Sequence, residues 1–263
     1  MRKFKNYSRF VKVYAGIGVS ISFLFGILLY TLANGLRHIS FEFLQTIIPV
    51  VVTTLMIVFL TLLIAVPIGI GSAIYLNEYA KPGRFVTLIR MAIETLSGIP
   101  SIIYGLFGFL FYVMTLRWTL SILAGICTVA IMMLPIIIRS SEEALKAVPI
   151  SYREGSFALG AGKFFTIMRT VLPSAIPGIL ASIILTIGRI VGETAALIYT
   201  AGTLVAMPTS LFSSSSTLAV FMYTSTVEGT NMNRAYATAV VLLALILFLN
   251  SLANYIAKKL KKG

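Results

Sequence analysis

Residues 47 to 76 read IIPVVVTTLMIVFLTLLIAVPIGIGSAIYL, a run without a single charge. A helix crosses the hydrocarbon core of a bilayer in about 20 apolar residues, so this segment can span with length left over for tilt. Four further charge-free windows follow the same rule: Val13 to Leu32, Thr95 to Leu116, Trp118 to Ile138 and Ala235 to Ala257. The stretch from Pro173 to Thr200 is equally apolar except for Arg189 and Glu193. Six transmembrane helices and an all-α integral membrane protein are predicted. Pro67, Gly69 and Gly71 predict a tilt or bend near residue 67, and Arg117 marks a tight hairpin between the third and fourth windows.

Composition agrees. Of 263 residues, 58% are hydrophobic and 11% charged, with mean hydropathy +0.98. One cysteine (Cys127) and one histidine (His38) cannot build a disulfide framework, a zinc site or a Cys/His dyad, which argues against a hydrolase or metalloenzyme. A formal charge of +13 would suggest nucleic acid in a soluble chain. Here it reports orientation, because cytoplasmic segments carry the excess of Lys and Arg.

With the N-terminus inside, the inner segments hold Arg2, Lys3, Lys5, Arg9 and Lys12, then Lys81, Arg84 and Arg90, then Arg139, Lys146, Arg153, Lys163 and Arg169, and finally Lys258, Lys259, Lys261 and Lys262. The outer loops hold only Arg37, Arg117 and Arg234. Both termini are therefore expected in the cytoplasm of a multi-pass inner (cell) membrane protein, with the first span a retained signal anchor. The organisation expected is a segment 1–46, comprising the basic N-terminus, first span and outer loop, followed by a transmembrane domain 47–263. The outer stretch Ala201 to Arg234 includes an apolar run, Thr217 to Val227, too short to span; it either dips into protein-lined space or docks a partner.

The inner loop 139–172 is longer than a connection between neighbouring helices needs. Ser151 and Glu154 have the spacing of a capping box, predicting a short helix that starts there and ends near Gly160 or Gly162. The segment Gly160-Ala161-Gly162-Lys163 is not a phosphate-binding loop, since Phe164 stands where Ser or Thr is required.

Arg189 lies roughly 24 Å along a helix from Pro173 at 1.5 Å per residue, in the outer half of the bilayer, with Glu193 one turn further. An intramembrane charge costs at least ~2.5 kcal/mol, whereas an i,i+4 pair returns a few tenths of a kcal/mol. The pair is therefore expected to face a polar cavity and to act on substrate. A guanidinium fork matches a tetrahedral oxyanion, and a carboxylate accepts a hydroxyl proton from it. Together they favour a partly protonated anion such as phosphate over sulfate. Gly188 and Gly192 permit close helix approach. Ile99 and Pro100 should start a fresh helix at the inner end of the third span, whose exposed N–H groups, with Ser97 and Ser101, form an inner anion relay.

Four runs carry a family resemblance. Glu154-Gly155-Ser156 with Gly160 and Leu172-Pro173 resembles the EAA loop of ATP-binding-cassette (ABC) importer permeases, with Gly155-Ser156 replacing Ala-Ala and Thr170 replacing the usual Ile. The runs Gly188-Arg189-Ile190-Val191-Gly192-Glu193-Thr194-Ala195, Glu94 to Gly108 and Tyr75-Leu76-Asn77-Glu78-Tyr79-Ala80 are similar to those of PstA-type permease subunits of phosphate ABC importers. The resemblance implies a type I (MetI-like) permease fold and alternating access. Arg189, Glu193 and Thr194 would lie on the anion pathway, and Ser151, Arg153, Glu154, Gly155 and Gly160 on the surface that couples to an ATPase.

It further implies a PstC-like second permease, a PstB-like ATPase dimer holding the ATP and Mg, an extracytoplasmic phosphate-binding protein and surrounding membrane lipid as partners. The chain itself then carries no cofactor, no catalytic residue and no nucleic-acid site. Phosphonate, molybdate or sulfate as cargo, and an ATP-independent secondary transporter, are the competing readings.

Overall fold

The computed structural model describes the backbone of residues 2–227 and 231–262, with side chains for 13–227 and 231–259. The side chains of Arg2 to Lys12, of Lys261 and Lys262, and residue Glu228 fall outside the described residues. What is described is all-helical. Five helices are long and apolar enough to cross a membrane, and a helix pair bent by 98°, Arg84–Ser97 with Ser101–Thr115, makes six if it counts as one span. The chain is a multi-pass membrane protein.

The central pair is α2 (Phe41–Ile74) and α5 (Ile122–Lys146), with α1 (Arg2–Leu36) preceding them. Ser40 caps α2 by accepting the Phe43 amide at 3.2 Å, and Ser121 caps α5 through the Ala124 amide at 3.3 Å. The buried residues of α2 include Val50, Thr54, Ile57, Thr61, Ala65, Gly69 and Ala73, spaced three or four apart as one helical face demands. They meet Ile122, Ile126, Val129, Met133 and Ile137 of α5. A Cβ at Gly69 would sit 2.6 Å from Cγ2 of Ile137. Close approach of this kind replaces the hydrophobic drive that lipid removes. The helix continues through Pro67 without a break and loosens only at a π-helical turn, Tyr75–Tyr79.

The window Thr95 to Leu116 is not one helix, and the single third span expected from it is corrected here. An amphipathic helix α3 (Arg84–Ser97) meets α4 (Ser101–Gly108), extended by a π-helical stretch Phe109–Thr115, at 98°. Pro100 causes the corner: it has no N–H to return to the preceding turn, and its ψ of 139° starts a new axis. The Tyr104 hydroxyl donates to the Leu96 carbonyl at 2.9 Å and fastens the corner. The hairpin into α5 follows as expected, with Arg117 and Thr119 at φ of 55° and 58°.

After α5 come the loop helices α6 (Ile150–Ala158) and α7 (Lys163–Thr166), a π turn Ile167–Val171 and α8 (Leu172–Val191). Then follow α9 (Ala195–Thr200), α10 (Leu218–Val227) and α11 (Met232–Lys262). Helix α1 lies on α11 through Tyr30 and Tyr236, ring centroids 5.9 Å apart. At the end of the bundle opposite α6, the run Ser213 to Ser216 turns inward. Its carbonyls, with that of Leu211, take the first amides of α5: Ile122 to Ser213 at 3.0 Å and Leu123 to Leu211 at 2.8 Å. The Ser215 hydroxyl lies 2.7 Å from that of Thr53, and Thr54 Oγ1 accepts the Leu218 amide at 3.0 Å. The first turn of the apolar α10, Leu218 to Phe221, is thereby buried against α2 and α11, so this part of the segment dips into protein-lined space.

Candidate functional site

Two helix interruptions lie side by side. Helix α8 stops at Val191, Gly192 takes φ −86° and ψ 0°, and Thr194 leaves helical geometry before α9 resumes at Ala195. Alongside, α4 starts afresh at Ser101. A Cβ on Gly105 would lie 2.8 Å from Cα of Ala196, and one on Gly108 would strike Thr128 and Thr200. Helices α4 and α9 therefore run in the same direction in contact. One turn back from these contacts, Ser101 stands level with the Gly192–Thr194 break. Two helix starts thus lie at one level, the arrangement broken helices use to meet an anion inside a membrane.

The depth follows from packing. Gly178 of α8 lies against Ala144 near one end of α5, its added Cβ 2.9 Å from that of Ala144. From Gly178 to Arg189 is about 16 Å of helix, which brings Arg189 opposite the middle of α5. Arg189 and the Pro100 corner thus lie at neighbouring levels of the helix bundle.

Arg189 and Glu193 are not the helical pair that their spacing suggests, because the helix ends between them. Glu193 is 8% exposed, and its Oε1 accepts the Ala196 amide at 3.1 Å, capping α9. Thr194 Oγ1 donates to the Gly192 carbonyl at 3.3 Å. Arg189 is exposed, and among the described residues no ion pair includes it. It projects from the face of α8 that also carries Ala181 and Leu185, which this chain leaves uncovered. Ser97 donates to the Glu94 carbonyl at 2.7 Å on the α3 side of the corner, and Ser101 is the first residue of α4.

The loop helix α6 ends where expected. Gly160 has φ 81°, its amide bonds Phe157 at 2.9 Å, and the Ala161 amide bonds Ser156 at 3.2 Å, a Schellman closure. Its start corrects the capping-box expectation. Pro149 occupies the N-cap with no side-chain bond, placing Ser151 already inside the first turn where its hydroxyl cannot cap. Ser151 and Glu154 are exposed instead, and Gly155 has open space where a Cβ would be. Ser151, Tyr152, Gly155, Leu159, Gly160 and Phe165 line a groove of about 620 Å³. Leu159 at 90% exposed, with Ile150 and Phe164, adds an apolar surface of the kind that seeks a partner.

Arg153 does not join that surface. It turns inward to Glu78, Nη2 to Oε1 at 2.7 Å. Glu78 and a second charged cluster escaped the sequence reading. In that cluster buried Glu142 meets Arg90 and Lys146, each at 2.8 Å, and Arg139 meets Glu143 at 3.2 Å and Glu94 at 3.4 Å. The available signal was scarcity: in a chain with 8 acidic residues, a glutamate beside an apolar span needs a cation.

Residues 65–262 match the model of the family described as binding-protein-dependent transport system inner membrane component. The chain belongs to this family. Among relatives of this family member, the probable ABC transporter permease protein YqgI of Bacillus subtilis (strain 168) is 36% identical over 66% of the chain and 63% of its own length. A phosphate transport system permease protein PstA homolog of Mycoplasma pneumoniae is 35% identical over 90% of the chain and 39% of its own length. The chain thus spans less than two thirds of either relative.

The fold is that of solved ABC transporters. A chain of the bacterial alginate ABC transporter, solved with a pentasaccharide-bound periplasmic protein, superposes with TM-score 0.74 at 17% identity, covering 100% of this chain and 99% of the other. A chain of the MetNI methionine ABC transporter gives TM-score 0.67 at 20% identity over 84% and 99%.

Proposed function

We propose that the chain is the permease subunit of an ATP-driven ABC importer for inorganic phosphate, moving the anion inward by alternating access. The observation that carries this reading is the exposed Arg189 on the last turn of α8, beside the two helix starts at Ser101 and Ala195. The PstA homolog among the relatives supports phosphate as the cargo.

In this reading phosphate arrives from an extracytoplasmic binding protein, and the fork of Arg189 takes two of its oxygens. The amides at the start of α4 add partial positive charge at the same level. Glu193 has one oxygen committed to the Ala196 amide; the other takes the proton-bearing oxygen of the anion. A fully ionised sulfate offers that oxygen no proton and is repelled.

A PstC-like permease covers the open face of α8. A PstB-like ATPase dimer, which binds and hydrolyses ATP with Mg, receives α6 in its surface, with the groove side of Ser151, Glu154, Gly155 and Gly160 at the contact. This chain is not catalytic. It sits in the cell (inner) membrane with both termini and α6 in the cytoplasm.

The test is uptake into proteoliposomes holding all partners. ATP-dependent phosphate uptake that sulfate does not compete away is expected in the wild type. Equal uptake of sulfate, unchanged in Glu193→Gln, would point to another oxyanion instead.

A further inference from the structure

The guanidinium of Arg153 joins three elements. Its Nη2 and Nε face Glu78 Oε1 and Oε2 at 2.7 and 3.4 Å, so α6 is held to the π turn that ends α2. The same Nη2 donates to the Leu145 carbonyl at 3.1 Å, and Nη1 to that of Val148 at 3.0 Å, so the guanidinium also grips the backbone where α5 ends. The side chains of Arg153 and Glu78 are 17% and 9% exposed, so water screens the pair weakly.

A second tie is parallel to the first: Lys163 Nζ, at the start of α7, stands 5.0 Å from the ring centroid of Tyr79. Asn77 Nδ2 donates to Glu78 Oε1 at 2.8 Å and holds the carboxylate in place. The π turn is closed by the Ala80 amide on the Tyr75 carbonyl at 2.8 Å.

By covalent connection, α6 joins α5 through residues 147–149 on one side and, through α7 and the π turn Ile167–Val171, α8 on the other; neither route leads to α2. The ion pair opens another route. We propose that Arg153 and Glu78 are positioning residues that transmit displacement of α6 directly into α2, the helix that neither covalent route reaches, so that α2 moves together with α5 and α8. Arg suits this role where Lys does not, because a planar fork fixes direction while a point charge swivels. The proposal rests on the reading that α6 receives an ATPase.

The test uses the assembled transporter in lipid, with Lys81→Cys and Ala158→Cys spin-labelled in a Cys127→Ser background, and reads the distance between labels without nucleotide and with trapped ATP. In the wild type the two labels keep their separation within about 2 Å, the scale of packed-helix shifts. In Glu78→Gln the separation changes with nucleotide. Phosphate moved per ATP hydrolysed then falls about tenfold, a typical coupling loss, while the ATPase stays bound, and Glu78→Asp recovers part of it.

A wild-type separation that changes with nucleotide overturns the proposal, as does Glu78→Gln with wild-type distance and ratio. Loss of the ATPase from the Glu78→Gln complex overturns it too, since that assigns the pair to docking. The distance does not depend on the cargo, so a failure of the phosphate reading shows separately, as uptake that ignores Arg189.

Discussion

Gly105 of α4 and Ala196 of α9 touch backbone to backbone: a Cβ placed on Gly105 would lie 2.8 Å from Cα of Ala196 and 3.1 Å from the Ala195 carbonyl. This contact sets the two short helices in register and puts both of their starts at the depth of Arg189. Gly105→Val is expected to force them apart, with overpacking of about 1–3 kcal/mol and loss of most phosphate uptake. Thermal unfolding in detergent and uptake in proteoliposomes check the two effects, and Gly71→Ala, where a Cβ meets nothing within 4 Å, is the control.

Glu193 serves α9 with one oxygen, so its substitutions separate shape from charge. Glu193→Gln keeps a carbonyl oxygen for the Ala196 amide and is expected to stay near wild-type stability while discriminating less between phosphate and sulfate. Glu193→Ala loses the bond as well, at about 1 kcal/mol for a missing cap. Competition uptake with sulfate and unfolding of both variants measure the difference.

At the end of α6, Gly160 holds φ 81°, a conformation L-residues enter at a cost of about 1 kcal/mol. Gly160→Val is expected to fray the helix end, tilt the groove lined by Tyr152, Gly155 and Leu159, and weaken ATPase binding. Co-purification of the ATPase with the variant reports this. Gly155→Ala, which meets open space in the isolated chain, is expected to fold normally and to weaken binding only when the partner surface is present.

Glu142 neutralises Arg90 of α3 and Lys146 of α5 while being 6% exposed itself. Removing its charge leaves two cations facing each other. Because Arg90 and Lys146 are each about half exposed, water offsets part of the loss, and Glu142→Gln is expected to cost about 1–2 kcal/mol. Amide exchange should rise across α3 before it rises in α5, since α3 has little other burial.

The crossings were legible because length without charge is a signal that needs no partner. Pro100 was legible for a local reason as well, a missing N–H. Where a residue had two possible partners, sequence spacing misled. Glu193 stands four places from Arg189, but Gly192 offers the chain a stop that spacing does not announce, and the carboxylate finds a backbone amide. Ser151 and Glu154 have the capping spacing, yet Pro149 preset the turn two residues earlier. Glu78 and Arg153 meet across two loops, and no local pattern relates them. The shared depth of Ser101 and Ala195 depends on helix packing through Gly105, which only the fold displays.

The central claim is that Arg189 meets the anion. Its most direct test is ATP-dependent phosphate uptake by the complete transporter in proteoliposomes, comparing wild type, Arg189→Lys and Arg189→Ala at equal amounts of assembled complex. The account predicts that Arg189→Ala loses uptake by at least about a hundredfold, the scale of a charge-assisted pair of bonds. Arg189→Lys should fall between, and ATPase binding should be unchanged. Uptake by Arg189→Ala at the wild-type rate and the wild-type phosphate affinity would contradict it.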